Sequence, residues 1–297
     1  MPLDIQRIEK NVRKLRKVLK KAPKRMNPDQ IHKIRTGARR IEAVLETLER
    51  DASFNERRLL KYLAEIRRRS GKVRDMDVFC TQLATTNLKS ETQAIVLLFE
   101  YLGAKRYGYA QKLHQWMKRK GPVARRRLKK MSARLEKSLK KADQSATSDA
   151  RLTADAMASA LTLSSALATP SHLQPNNLHE YRIKIKDLRD ILQSITHSEP
   201  HNKFVEALGK CKDEIGEWHD WVELLRIAGK VLKHEKNTKL LGELKKICEQ
   251  KYQHALAVTN RMREEYVRRT KNSERARRSG RGSGATSGLQ VVRAMTA

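Results

Sequence analysis

Three cysteines stand among 297 residues, Cys80, Cys211 and Cys248; they are odd in number, widely spaced and form no CxxC pair. That argues against a disulfide framework or a zinc ribbon and points to a reducing compartment. Aromatic residues make up only 5% and are not regularly interleaved with the basic ones, so stacking platforms for single-stranded nucleic acid are scarce. No run approaches the roughly 18 apolar residues of a membrane span, and the stretch from Met1 to Lys10 lacks the apolar segment of a signal peptide. The expectation is a soluble cytoplasmic protein. HExxH, Cys/His metal spacing and a GxxxxGK(S/T) loop are missing, so neither a metal nor a cofactor is expected. No stretch shows the alternation of a strand. Acidic residues are the scarcer charge: 33 against 65 Lys and Arg, a formal net charge of +32, far beyond what solubility alone requires. An anionic polymer or surface is the expected partner.

What is present is helical periodicity, and one helix pattern occurs twice. In Ile31-His-Lys-Ile-Arg-Thr-Gly-Ala-Arg-Arg-Ile41, His32, Arg35 and Arg39 fall at about 0°, 300° and 340° on a helical wheel of roughly 100° per residue. Ile31, Ile34, Ala38, Ile41, Leu45 and Leu48 occupy a separate arc, so one side packs and the other carries charge. Leu178-His-Glu-Tyr-Arg-Ile-Lys-Ile-Lys-Asp-Leu188 repeats the design, with His179, Arg182, Lys186 and Arg189 on the cationic side and Leu178, Tyr181, Ile185, Leu188 and Leu192 on the apolar one.

Around these two helices the chain divides into further helices. Leu3 to Lys21 has apolar residues at three- and four-residue intervals and a basic outer face. Asn27-Pro28 reads as an N-cap with proline at the first helical position. A third helix covers about Asn55 to Leu83, with Gly71 as a weak break or a close-packing point. Glu91 to about Lys141 reads as a long helix interrupted near Gly121-Pro122, and its second part, Lys118 to Lys141, holds twelve Lys or Arg against the single acid Glu136. From Asp143 to Asn177, Ala, Ser and Thr dominate and Lys is absent, which marks a boundary, with a small-residue helix from Arg151 to Ala168 ended by Pro170 and Pro175. After the second motif helix come Phe204 to His234 and Thr238 to about Arg269. Gly71-Lys-Val-Arg-Asp75 aligns with Gly216-Glu-Trp-His-Asp220, which sets Arg74 against His219 and Asp75 against Asp220. The economical reading is all-α, two pseudo-symmetric four-helix bundles over residues 1–145 and 146–270, followed by a Gly/Ser/Arg-rich, low-complexity tail over 271–297 that is expected to be disordered.

A doubled HxxRxxxR/K helix, each copy followed by G-x-x-R/H-D, resembles the CHAD family of conserved-histidine α-helical domains, over about residues 3 to 268. The resemblance implies two four-helix bundles whose basic faces line a shared central groove or pore, and noncatalytic binding of inorganic polyphosphate, with polyphosphate granules as the candidate location. It assigns ligand contacts to His32, Arg35, Arg39, Arg40 and Arg74 in the first half and to His179, Arg182, Lys186, Arg189 and His219 in the second. Glu42, Asp187 and Asp190 depart from the family pattern.

Those residue types suit such a ligand. Polyphosphate offers a line of negative charge and no base edges; Arg brings a rigid fork, Lys an adaptable point charge, and His one donor when neutral or two when protonated. Other readings remain open from the residues alone. The cationic faces could simply be solvated, and His32 and His179 could be interior histidines. Asp75 and Asp220 read as orienting neighbouring bases, and Arg74 could pair with Asp75 or Asp77. Nucleic-acid binding through the basic surface or the tail is the alternative function. A phosphate-transfer enzyme using His219 and Asp220 lacks a convergent carboxylate cluster to hold metal.

Overall fold

The computed structural model describes residues 5–47, 54–88, 92–142, 158–195, 199–233 and 239–268. The expected tail, Leu3, Leu48 and the first part of the small-residue helix lie outside them. Among the described residues every regular element is helical: α1 (Ile5–Lys21), α2 (Pro28–Thr47), α3 (Phe54–Thr85), α4 (Thr92–Ala142), α5 (residues 158–166), α6 (Pro175–Ile195), α7 (Glu199–Val231) and α8 (Lys239–Met262), which ends in a π-helical turn, Arg263–Arg268. The described residues form two compact units: those up to 142 together with 228–233 and 239–240, and those from 158 to 227 together with 241–268.

In the N-terminal unit α1 packs on α2 and α4, and α3 packs on the same two, so the four helices follow one another around a ring. The apolar arc of α2 supplies the centre: Ile31, Ile34, Ala38, Ile41 and Leu45 are all buried, against Val12, Leu15 and Leu19 of α1, Leu59, Leu63 and Ile66 of α3, and Leu113, Met117 and Leu128 of α4. Each Val, Leu, Ile or Met side chain among these contributes about 1.5–3 kcal/mol on burial. In the C-terminal unit the matching arc of α6, Leu178, Tyr181, Ile185, Leu188 and Leu192, is buried with Phe204, Leu208, Cys211 and Ile215 of α7 and Ala255 and Met262 of α8.

Both motif helices begin at proline, where the missing N–H costs nothing. Asn27 Oδ1 accepts from the Gln30 N–H at 2.8 Å and Gln30 Oε1 accepts from the Asn27 N–H at 3.1 Å, a reciprocal cap. Ahead of α6, Asn177 Oδ1 accepts from the Gln174 N–H at 2.9 Å.

One expectation needs correction. The interruption near Gly121-Pro122 is absent, and α4 runs straight through as one 51-residue helix. Proline there removes the N–H that would have bonded the Lys118 carbonyl and crowds that carbonyl with its ring, and the surrounding packing offsets this: Gly121 is buried, and a Cβ on it would lie 3.5 Å from the Leu19 carbonyl oxygen, so α1 and α4 approach almost backbone to backbone. Of the two readings of Gly71, close packing holds: α3 is continuous through it, and the Arg35 side chain packs against it. All three cysteines are free; burial pushes the Cys211 thiol up to about 12 and that of Cys248 to about 11, so both are protonated core residues.

Candidate polyanion-binding site

The site can be built from one arginine on each motif helix. In the C-terminal unit Arg182 leaves α6 half-buried and reaches α7, where its Nε donates to the Lys212 carbonyl oxygen at 3.0 Å. That carbonyl is four residues before Gly216. A helical side chain leans back over the preceding turn, so any side chain at 216 would cover it. A Cβ built on Gly216 would lie 2.8 Å from Arg182 Nη2 and 3.0 Å from Nε. Glycine here is a seat for a guanidinium. The N-terminal unit has the same arrangement: a Cβ on Gly71 of α3 would lie 3.2 Å from Arg35 Nη1.

Around these seats the other expected residues take distinct places. His32 and His179 are exposed, so neither is an interior histidine. The ring of His179 lies on that of His219 from α7, centroids 4.6 Å apart and planes tilted by 33°. The pKa of His219 is lowered by burial first, then by His179, with Glu223 opposing and Arg182 adding to the lowering. Thus α6 and α7 bring His179, Arg182 and His219 together. In the N-terminal unit Arg39 and Arg74 are half-buried, whereas Arg40 is exposed. Asp77 is buried and accepts from Arg106 Nε of α4 at 2.5 Å, so it is engaged across the bundle rather than with Arg74. Lys186 stands 3.4 Å from its neighbour Asp187.

Two features escaped the sequence reading. Seven residues before Gly216, Gly209 makes a second seat: its Cβ would lie 3.0 Å from Arg189 Nε, which is buried and has no hydrogen-bond partner. Arg182 and Arg189 are also seven apart, so antiparallel α6 and α7 place two arginines over two glycines with about 10.5 Å between rungs. The signal was the glycine spacing, visible once the arginine spacing is laid beside it. Arg263, in the π-turn, is fully buried, stacks over Tyr181 at 5.5 Å and donates to the carbonyls of Pro170 at 2.5 Å and Ala168 at 3.1 Å. It pins the segment preceding α6, and no local pattern announced it.

The chemistry on offer is multidentate donation to an extended anion. Among the described residues no group of three His, Cys, Asp or Glu side chains could hold a metal ion, and no helix is long and apolar enough to cross a membrane. A family model described as the CHAD domain matches residues 6–229. Among solved structures, the crystal structure of the CHAD domain from the plant Ricinus communis is similar with a TM-score of 0.55 at 16% identity, covering 88% of either chain, a likeness of fold. No curated protein matches the chain.

Proposed function

Because the chain belongs to the CHAD domain family, which is associated in general with polyphosphate binding, we propose that it binds inorganic polyphosphate without transforming it. The observation that carries this reading is the pair of seats: Arg35 against Gly71 and Arg182 against Gly216, at the same place in each copy of the doubled motif. A guanidinium held against a helix backbone retains outward N–H groups and has lost much of the rotamer freedom that ligand binding would otherwise remove.

His32, Arg39, Arg40 and Arg74 extend the donor array in the N-terminal unit, and His179, Lys186, Arg189 and His219 extend it in the C-terminal one. All of these are donors to phosphate oxygens. The array contains no activated nucleophile; of the carboxylates near it, Asp77 is engaged by Arg106 and Asp187 lies beside Lys186. A binding role fits a family whose domain is generally noncatalytic. On this reading the protein associates with polyphosphate granules in the cytoplasm.

The test is competition between long-chain polyphosphate, duplex DNA and RNA over a salt titration. Polyphosphate binding should survive an excess of duplex DNA, fall steeply with salt, and drop by at least about 100-fold, two charge-assisted contacts' worth, in a variant with Glu at positions 35, 39, 182 and 186. Phosphate release by the purified protein with Mg²⁺, abolished by changing His219, would sink the noncatalytic reading.

A further inference from the structure

The N-terminal unit carries a second concentration of positive charge that the seated arginines do not use. In its ring of helices, the α2–α3 edge bears Arg35 and Gly71, and the α4–α1 edge lies on the opposite side. That opposite edge is basic along its length. α1 has eight Lys or Arg against the single acid Glu9, and the stretch from Lys118 to Lys141 has twelve against Glu136 alone. Lys14, Lys17 and Lys21 on α1 and Lys118, Arg126 and Lys129 on α4 are exposed, and among the described residues none has a carboxylate within ion-pair distance. Neighbouring acids are paired elsewhere, Glu9 with Arg13, Glu65 with Lys120 and Glu56 with Arg134.

Like charges this dense oppose folding of the bundle, yet the packing forces them closer: Gly121 lets the two helices approach at the Leu19 carbonyl, setting two cationic rows side by side. Because α4 passes Pro122 without a break, its backbone continues as one helix, about 37 Å over residues 118–142 at 1.5 Å per residue.

We infer that the α1–α4 edge is a separate binding surface for the phosphate backbone of duplex nucleic acid. A duplex is a stiff, straight polyanion with one charge per roughly 1.7 Å, which suits lysines and arginines carried on two packed helices. Single strands are bound largely by stacking on aromatic side chains, and among the described residues neither α1 nor α4 from residue 118 onward exposes one. Trp116 is buried, and the exposed Phe54 of α3 is engaged by Arg58 and Arg127, at 5.2 and 6.0 Å from its ring centroid. Anionic membranes are held by amphipathic helices that also insert apolar side chains. The exposed large apolar residues, Phe54, Val96, Tyr101, Tyr107 and Ile183, all lie outside α1 and outside α4 from residue 118 onward. With one surface for each polyanion, the protein would tether nucleic acid to whatever its seated arginines hold, although the inference stands without the polyphosphate reading.

The experiment uses the full chain, a fluorescent 25-base-pair duplex, long-chain polyphosphate and phosphatidylserine vesicles. Changing Lys14, Lys17, Lys118 and Lys129 together to Glu should weaken duplex binding by at least about 30-fold, while polyphosphate binding stays within about three-fold of wild type. A milder variant with Gln at the same four positions guards against misfolding; it should melt like wild type and flatten the salt dependence of duplex binding by about 3 to 4 in log–log slope. Unchanged duplex affinity and slope in the Gln variant would overturn the inference. So would a proportional loss of both polyanions, which means one undivided surface, or vesicle binding tighter than duplex binding. Failure of wild type to bind polyphosphate at all would instead strike the proposed function and leave this surface untouched.

Discussion

The two units apply one motif with different chemistry. Eleven residues after Ile31 stands Glu42, and eleven after Leu178 stands Arg189. Glu42 is buried and takes both of its bonds from Arg67 of α3, at 2.5 and 3.2 Å, so that cation is neutralised within the N-terminal unit. At the matching places the C-terminal unit has Arg189 on its glycine seat and Lys212, whose carbonyl receives Arg182. One unit spends a carboxylate on holding its helices together; the other leaves a second guanidinium in the array. A further difference lies one turn beyond each seat, where Arg74, permanently charged, corresponds to the titratable His219. Each array has five members, but the N-terminal one has four arginines and one histidine, whereas the C-terminal one has two arginines, a lysine and two histidines, and includes His219, whose pKa burial lowers.

The largest expected effect follows from the two arginine–glycine seats of the C-terminal unit against the one of the N-terminal unit. Replacing Arg182 and Arg189 together by Glu should weaken polyphosphate binding by about 100-fold, and Arg35→Glu by about ten-fold, since a hydrogen bond to a charged group contributes about 1.5–3 kcal/mol. Isothermal titration of both variants decides it, and equal losses would erase the asymmetry.

A smaller effect concerns pH. Burial, His179 and Arg182 keep His219 neutral until the pH falls below the ordinary histidine value, and a polyanion favours its charged form. Binding should therefore take up a proton, with affinity rising severalfold as pH drops from about 7 to 5. His219→Arg should flatten this component of the profile. Stability of the ligand-free protein runs the other way: the unfolded chain protonates at higher pH than the folded one, so the stabilisation present above the ordinary histidine value is lost as pH falls through the lowered one. Melting temperatures of wild type and His219→Arg across that range check the sign.

The smallest effect belongs to Glu42→Gln. Releasing Arg67 from its partner should raise polyphosphate affinity about two-fold, a single added charge contact at moderate salt. It should lower stability by about 1 kcal/mol, the usual net worth of a hydrogen bond. Chemical denaturation and a binding titration on the same preparation would show both, and a fall in affinity would mean that Glu42 orients Arg67 for the ligand instead.

What was legible in the sequence was whatever rests on period. The apolar arcs of α2 and α6 are buried as their spacing requires, because a 3.6-residue repeat leaves a single face that can be dry. Asn27-Pro28 marked a helix start for a purely local reason. Contacts between distant positions were not legible. That Arg106 of α4 reaches Asp77 of α3, or Arg263 the carbonyls ahead of α6, depends on how helices cross, and side-chain types repeated along a helix do not encode the partner. Pro122 misled because the cost of a proline is local while the packing that offsets it comes from α1. Within the site, His179 and His219 were identified as donors, but their ring contact and its effect on protonation needed coordinates.

The glycines beneath the arginines bear on how this chain could be improved. Gly71, Gly209 and Gly216 sit inside long helices, where alanine is favoured by about 1 kcal/mol. A stability screen would therefore mark them as defects to repair. The obstruction at 216 is the tip of a flexible side chain, so Gly216→Ala should fold and melt no lower than wild type, and yet displace Arg182 from its seat. In a library sorted on folding alone such variants would be enriched; sorted on ligand capture they would vanish. Running both selections on the same library would reveal where this fold exchanges robustness for use.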